Sequence, residues 1–114
     1  MVRLKFKPRK SFEKNLRYLG KLDPTIIDEV REAIEILLEG QKLPTDFKDH
    51  KLTRRLSDYH EFHVRDTPRG VSPTEINDVV VIYKVEYNEL ILIAVDVGAH
   101  SVLFKNNHKK KYHK

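Results

Sequence analysis

The sequence contains no cysteine and no long apolar run. Without cysteine, disulfide bonds, thiol catalysis and cysteine-based zinc sites are all excluded. No apolar segment approaches the roughly 20 residues that cross a bilayer, and no apolar signal segment follows the charged start of the chain. We therefore expect a cytoplasmic protein whose chemistry comes from His, Asp, Glu, Lys, Arg, Tyr or Ser.

Acidic residues are also missing from both ends of the chain. The first ten and the last ten residues each contain five basic residues and no acid, while the whole chain carries 22 Lys and Arg against 17 Asp and Glu. Residues 11–104 therefore hold 12 basic and 17 acidic residues, a net charge of −5. This distribution excludes a purely basic nucleic-acid peptide and leaves an acidic centre between two cationic ends.

The N-terminal part of the sequence predicts one strand and two helices. Apolar and basic residues alternate over residues 2–6, which indicates a strand that Pro8 ends. Ser11 is the predicted N-cap of a first helix, which we expect to stop at Gly20.

A second helix is predicted directly after the first. Asp23 is its expected N-cap, with Pro24 at the first helical position, and its apolar stripe continues until Gly40 closes the helix. So few residues separate the two helices that they should form an antiparallel hairpin.

The rest of the chain predicts mainly strands. Residues 41–57 have no clean period and indicate a loop, and residues 66–77 indicate an extended hairpin loop. The predicted strands span residues 59–65, 79–87 and 90–97, with a short final strand at residues 101–104.

This order predicts an α+β fold. We expect a small, largely antiparallel sheet of four to five strands, with the helical hairpin packed on one face and the other face open. Residues 1–104 are assigned to a single domain, because the length permits one core. Residues 105–114 form a basic C-terminal tail that cannot contribute to a core.

Histidine is the residue type best suited to catalysis in this chain. The six histidines are at positions 50, 60, 63, 100, 108 and 113. His60 and His63 are three apart on a strand and so point to opposite faces, which argues against a two-ligand metal site. His63 should lie on the uncovered face, although a single histidine is more often a surface residue than a catalyst.

Two further groups of side chains are candidates for binding a nucleic acid. His100 follows a glycine turn, and Phe104 comes soon after it as a ring on which a base can stack. The alternative is a tight turn with a buried aromatic. Phosphate contacts could come from Arg54, Arg55, Arg65, Arg69, Lys84 and the tail lysines. The alternative is that these scattered charges only form a solvated surface.

Four blocks of sequence, in a fixed order, resemble one toxin family. They are KLPTDFKDH at residues 42–50 with Leu52, Tyr59 with Glu61 and His63, DVVVIYK at residues 78–84, and GAHSVLF at residues 98–104. Together they resemble the YafQ-type toxins of the RelE/ParE superfamily, over roughly residues 3–104. The superfamily fold, a small sheet with a helical hairpin on one side, agrees with the predicted order of elements.

The resemblance implies a toxin of a type II toxin–antitoxin pair that enters the ribosomal A site and cuts mRNA. The expected partners are a cognate antitoxin, the ribosome and mRNA, with no membrane and no small-molecule cofactor. The chemistry needs no metal, because the ribose 2′-hydroxyl of the substrate attacks the adjacent phosphorus. Imidazole suits both proton transfers, since its pKa lies near the operating pH.

The residues that match the family's acid–base set are His50, His63, Asp78 and His100, and Phe104 matches its aromatic residue near the scissile nucleotide. Within that set, His63 is the expected general base or acid and His100 its partner. His50 contacts phosphate or donates a proton, and Asp78 orients an imidazole.

The sequence departs from the family pattern at three places. Asp96 stands where the family has an arginine, so Lys84, Arg65 or Arg69 is expected to supply the missing cation. Val79 stands where a tryptophan often follows the aspartate. The loop at residues 66–77 is longer than in the family, which makes Asp66 a rival for the role of Asp78.

Two other functions remain open from the sequence. ParE-like members of the superfamily act on DNA gyrase, but they generally lack the histidine set that this chain retains. The second alternative is a non-catalytic module that binds RNA or the ribosome through its basic ends, because fold does not fix function.

Overall fold

A computed structural model describes residues 3–104 of the chain. Strand β1 is followed by helices α1 and α2, then by strands β2 to β5 and a short helix α3. Their bounds are Lys5–Pro8 (β1), Lys10–Leu22 (α1), Thr25–Leu38 (α2), His50–Lys51 (β2), His60–Arg65 (β3), Val79–Glu86 (β4), Ile91–Gly98 (β5) and His100–Leu103 (α3).

The five strands form one mixed sheet in the order β1-β5-β4-β3-β2. β1 runs parallel to β5, whereas the other neighbours are antiparallel. The α+β class and the largely antiparallel sheet with a helical hairpin on one face are confirmed. The first strand lies later than predicted, because it is residues 5–8 that pair with β5, and Pro8 is the last paired residue instead of an excluded one.

The helices cover one face of the sheet and form the main core with it. Val30 and Ile34 of α2 and Phe12 of α1 pack with Phe62 and Val81 of the sheet, and all five are buried. In the described part of the chain, no helix is both long enough and apolar enough to cross a membrane.

The first helix does not end at Gly20 as predicted, but continues to Leu22. A side chain at Gly20 would overlap Ile27 of α2, so this glycine permits close packing of the two helices. Ser11 is not the N-cap either, because the helix begins at Lys10 and the Ser11 hydroxyl donates to the Val95 carbonyl at 2.6 Å.

The second helix begins at Thr25, one residue later than predicted, and its N-cap is Pro24 instead of Asp23. Asp23 Oδ1 accepts hydrogen bonds from the Thr25 backbone N–H at 3.1 Å and from its hydroxyl at 2.6 Å. The carboxylate therefore satisfies a backbone donor that the first turn leaves unpaired.

The face opposite the helices is not fully open, which corrects the prediction. A smaller cluster of Val80, Ile82 and Val95 is buried there beneath Leu103 of α3. The strand predicted at residues 101–104 is wrong, because residues 100–103 form the short helix α3. β4 begins at Val79, so it offers no pairing partner to residues beyond Gly98 of β5.

The loop predicted at residues 41–57 contains one short strand, β2, between two single-turn helices. Its pairing with β3 could not be predicted from periodicity, because a two-residue strand has no period. β3 itself has an irregular register between His63 and Arg65, so the intervening Val64 is an extra residue. Such a bulge changes the face to which the following side chain points.

Candidate functional site

A buried carboxylate, Glu61, lies among three histidines on the sheet face opposite the helices. Only 5% of Glu61 is exposed. Its Oε2 atom lies 3.3 Å from His50 Nε2, 3.2 Å from His63 Nε2 and 3.5 Å from His100 Nε2. A buried carboxylate needs charged or hydrogen-bonding partners, and these imidazoles supply them. We call these four side chains the histidine cluster.

Two aspartates extend the histidine cluster. His63 Nδ1 lies 2.6 Å from Asp66 Oδ1, and His100 Nδ1 lies 3.2 Å from Asp78 Oδ1. Asp78 also accepts a hydrogen bond from the His100 backbone N–H at 3.0 Å. The two aspartates are therefore not alternatives, because each faces a different imidazole. When Nδ1 donates to a carboxylate, Nε2 is left to exchange a proton or to bind a metal.

The sheet topology explains why these distant residues meet. β2 pairs with β3 so that His50 is opposite Glu61, and His63 follows Glu61 on the same face of β3. The start of β4 pairs with the end of β5, so Asp78, just before β4, lies beside His100, just after β5. The rings of His63 and His100 are 4.9 Å apart between centroids.

The segment that carries His50 is fixed from the helical side of the sheet. The Tyr83 hydroxyl donates to Asp49 Oδ1 at 2.7 Å. Burial and the Asp49 carboxylate raise the pKa of Tyr83 well above its usual value, which keeps the hydroxyl a donor. His60 stacks on the Tyr83 ring at 5.2 Å, so it faces away from His63, as their spacing predicted.

Lys48 places a cation beside the histidine cluster. Its Nζ lies 3.4 Å from Asp66 Oδ2, and its carbonyl oxygen lies 2.6 Å from His50 Nδ1. Partial burial alone would raise the pKa of Asp66, but the hydrogen bonds and charges of His63 and Lys48 outweigh it and hold this pKa below its usual value. Sequence reasoning missed Lys48, although it stands two residues before His50 in a family-like block.

Glu61 is the second site residue that the sequence predictions did not include. The signal was present, because Glu61 and His63 are two apart on a strand and share one face. A glutamate on a strand is usually solvated, however, and its burial became evident only from the pairing of β3 with β2 and β4.

Phe104 is the predicted substrate-binding residue that lies directly against the cluster. Its ring stacks on His100, with centroids 6.0 Å apart and planes at 29°. Lys84 is engaged elsewhere, since its Nζ lies 3.0 Å from Glu86 Oε2 and 5.6 Å from the centre of the Tyr59 ring.

The two predicted arginines do not join the histidine cluster. The bulge in β3 turns Arg65 toward α2, where Nε and Nη2 donate to Glu29 at 2.8 and 2.9 Å and Nη1 donates to Asp23 at 3.0 Å. These carboxylates raise the pKa of Arg65 further above its usual value. Arg69 is exposed in the 66–77 loop, next to Gly70.

Asp96, at the position where the resemblance implies an arginine, is also directed away from the cluster. It is 4% exposed, and its Oδ1 accepts a hydrogen bond from Asn15 of α1 at 2.6 Å. The Asp96 carboxylate therefore takes part in a hydrogen bond between β5 and α1.

Glu61, His63 and His100 form a group that could hold a metal ion. Each offers one ligand atom, and these atoms lie within 4.8 Å of one another. A carboxylate and two imidazoles are ligands that suit zinc and copper. The contacts of Asp66 and Asp78 with the opposite ring nitrogens are those that usually orient metal-binding histidines.

Several solved structures share the fold of this chain, among them three toxin structures. A copper-bound mutant toxin from Helicobacter pylori is 29% identical, with a TM-score of 0.72 over 89% of this chain and 99% of that one. YafQ from Escherichia coli is 22% identical, with a TM-score of 0.67 over 89% and 98% of the two chains. In the E. coli DinJ–YafQ toxin–antitoxin complex the identity is 21% and the TM-score 0.68, over 90% of this chain and 99% of that one.

A search of curated proteins found no match to the chain. A family model, in contrast, matches residues 4–105, which is nearly the whole sequence and includes every member of the histidine cluster. Its description is a bacterial toxin of a type II toxin–antitoxin system, YafQ. The chain belongs to the YafQ family of bacterial toxins.

Proposed function

We propose that this protein is a ribosome-dependent mRNA endoribonuclease that acts as the toxin of its toxin–antitoxin pair. The observation that carries the proposal is the buried Glu61 carboxylate among three imidazoles, two of which are oriented by aspartates. This arrangement supplies proton donors and acceptors at fixed positions on one surface, as cleavage of RNA by its own 2′-hydroxyl requires.

The reaction needs two proton transfers. A base removes the proton from the ribose 2′-hydroxyl, whose oxygen then attacks the adjacent phosphorus. The bond from phosphorus to the 5′-oxygen breaks, and an acid protonates that oxygen. The products are a 2′,3′-cyclic phosphate and a free 5′-hydroxyl.

His63 and His100 perform these transfers in the proposal, one as base and the other as acid. Each Nδ1 is oriented by its aspartate, so Nε2 is the nitrogen of each ring that exchanges a proton with the substrate, in place of its contact with Glu61. Glu61 contacts both Nε2 atoms and acts as a positioning residue that balances an imidazolium formed during turnover. His50 contacts the phosphate or donates a proton.

Charge on the scissile phosphate is stabilised by Lys48 in this proposal. Arg65 and Lys84, which were proposed from the sequence, are paired with carboxylates outside the cluster. Lys48 is also paired, but its partner, Asp66 at 3.4 Å, is the aspartate that contacts His63. Its side chain is 59% exposed and so is accessible to an incoming phosphate.

A cognate antitoxin is the proposed protein partner. The E. coli YafQ toxin is known in complex with its antitoxin DinJ, and this chain shares that fold. A small neighbouring gene for a DNA-binding protein would support this part of the proposal, and co-purification of the two products would test it.

The nuclease proposal is tested by three substitutions with one matched control. His63→Gln, His100→Ala and Glu61→Gln should each lower the cleavage of ribosome-bound mRNA by about a hundredfold or more. His60→Gln should retain activity, because His60 lies on the other face of the sheet. The measurement is single-turnover cleavage with identification of the cyclic phosphate and 5′-hydroxyl ends.

Mapping mRNA 5′ ends and DNA breaks in cells after induction of the protein separates the rival functions. Cuts at fixed positions within codons support the nuclease, whereas gyrase-linked DNA breaks after induction indicate a ParE-like toxin. Ribosome binding without either product indicates a non-catalytic module. Wild-type cleavage in both histidine variants would contradict the assignment of His63 and His100.

We also propose that the cluster binds a transition-metal ion, which then inhibits the nuclease. Glu61, His63 and His100 would hold the ion through the atoms that the proposed reaction uses, so the two occupancies exclude each other. Zinc or copper ions should bind with about 1:1 stoichiometry in calorimetry and suppress cleavage reversibly, and a chelator should restore it. Binding that is equal in wild type and Glu61→Gln would contradict this site.

A further inference from the structure

An open cavity lies beside His100. Its volume is about 700 Å³, and its lining residues are Pro73, Asp78, His100, Ser101, Val102 and Phe104. This volume is within the range of ligand sites, about 300–1,000 Å³, and it exceeds the space that one nucleobase needs. Asp78 and His100 link the cavity directly to the proposed site of cleavage.

The chemistry of the lining suits a nucleobase. The Phe104 ring extends the stack that begins with His100, and Val102 adds an apolar side chain that is 49% exposed. Pro73 contributes a further apolar ring. Flat aromatic and apolar surfaces of this kind bind the faces of bases with little dependence on hydrogen bonding.

Pro73 comes from the long 66–77 loop, which is fixed at several points. The Tyr18 hydroxyl lies 2.9 Å from Glu75 Oε1, and Arg65 donates to the Ile76 carbonyl at 2.8 Å. Asn77 accepts a hydrogen bond from the Thr74 backbone N–H at 2.7 Å. These interactions tie the loop to α1 and to β3, so Pro73 holds a defined position.

We propose that the 66–77 loop is a specificity element, and that Pro73 and Phe104 bind the base of a nucleotide next to the scissile phosphate. This inference rests on the proposed function and adds to it a base-binding site formed by the loop that lengthens this chain. The anchored loop gives the cavity a fixed wall, so the shape of the base affects binding more than the rate of chemistry.

A tryptophan reporter tests the cavity without any cleavage assay. The chain contains no tryptophan, so Pro73→Trp introduces a single fluorophore into the lining. Nucleoside 3′-monophosphates should quench its fluorescence in a saturable way. Val71→Trp is the matched control, because Val71 is 50% exposed in the same loop and does not line the cavity. Equal quenching in both variants, or none in Pro73→Trp, would overturn the proposal.

A second variant tests the effect on the substrate. Pro73→Ala should raise the KM for programmed ribosomes about fivefold or more, with kcat changed less, and should alter the distribution of bases at the cut sites. An unchanged KM and an unchanged base distribution would overturn the inference while the nuclease proposal stands. If the wild-type protein does not cleave mRNA, the proposed function fails, and the quenching experiment still decides whether a base enters the cavity.

Discussion

At the scale of single residues, substitutions of Lys48 test whether its charge is needed for mRNA cleavage or whether the side chain only supports the structure. Its backbone has φ of 53°, a left-handed conformation that asparagine tolerates. Lys48→Asn therefore removes the charge without backbone strain, and we expect it to lower kcat for mRNA cleavage by about tenfold to a hundredfold. Lys48→Arg should restore most of the rate, because the proposed role requires charge.

Lys84→Ala is the comparison for this prediction. Lys84 was a sequence-based candidate for the same role, but its ammonium group is paired with Glu86. A large decrease of kcat in Lys84→Ala together with wild-type activity in Lys48→Asn would reverse the assignment. The thermal midpoints of all three variants should stay close to that of the wild type.

The residue types of the site could be recognised from the sequence, but their arrangement could not. His50, His63, Asp78 and His100 were identified because they match blocks of a known family. Glu61 could be recognised only when its burial was known. Asp66 and Asp78 were treated as alternatives because only one aspartate was expected to orient an imidazole. In the structure Asp66 contacts His63 and Asp78 contacts His100.

At the scale of elements, Arg65 connects β3, α2 and the 66–77 loop. The alternation of β3 predicted that Arg65 shares a face with His63, and the bulge at Val64 reverses this. A bulge adds one unpaired residue to one of two paired strands. Nothing about Val64 in the sequence indicates that the bulge occurs there. The same limit applies to β2, which is defined by its pairing partner.

We predict that Arg65→Met destabilises the fold and makes it less sensitive to acid. Removing the ion pairs with Glu29 and Asp23 should lower Tm by about 5 °C or more at pH 7. Hydrogen bonds from Thr25 and then Arg65 hold the pKa of Asp23 below its usual value. Because the pKa of Asp23 is lower in the folded protein than in the unfolded chain, its carboxylate stabilises the fold. This stabilisation is fully present above the pKa of the unfolded chain, about 4, and is lost as the pH falls through the lower pKa of the folded protein.

The difference in Tm between wild type and Arg65→Met should therefore be smaller near pH 3 than at pH 7. Calorimetric scans over this pH range measure it, and Arg69→Met is the control, because Arg69 is exposed in the neighbouring loop. A constant difference across the range would show that Arg65 stabilises the fold by packing its side chain and not by its charge.

At the scale of the whole molecule, one face of the sheet forms the main core and the other carries the candidate site. One face is covered by α1 and α2 and contains the larger core. The other holds a small apolar cluster and the histidine cluster, so the proposed catalytic surface is built on the less covered side. The class and order of elements were predictable because long helices and strands have clear periods, whereas α3 was not, since four residues carry too little pattern.

The distribution of charge leads to a prediction about ribosome binding. Residues 1–104 carry equal numbers of basic and acidic residues, so the histidine face cannot rely on a large excess of positive charge to hold ribosomal RNA. The basic tail at residues 105–114 lies outside the described residues, and from its sequence it is the expected docking segment. Deletion of residues 106–114 removes four lysines and should weaken ribosome binding.

This weakening should depend on salt, because binding to phosphates releases counterions. Between about 50 and 200 mM salt, the affinity of the full chain should fall more steeply than that of the deletion variant, and the two slopes should differ by up to about one unit for each phosphate that a tail lysine neutralises. A variant with the four lysines changed to glutamine controls for chain length. Identical salt dependence in all three proteins would mean that the tail does not bind the ribosome, and that docking depends on the described surface around Lys48 and Phe104.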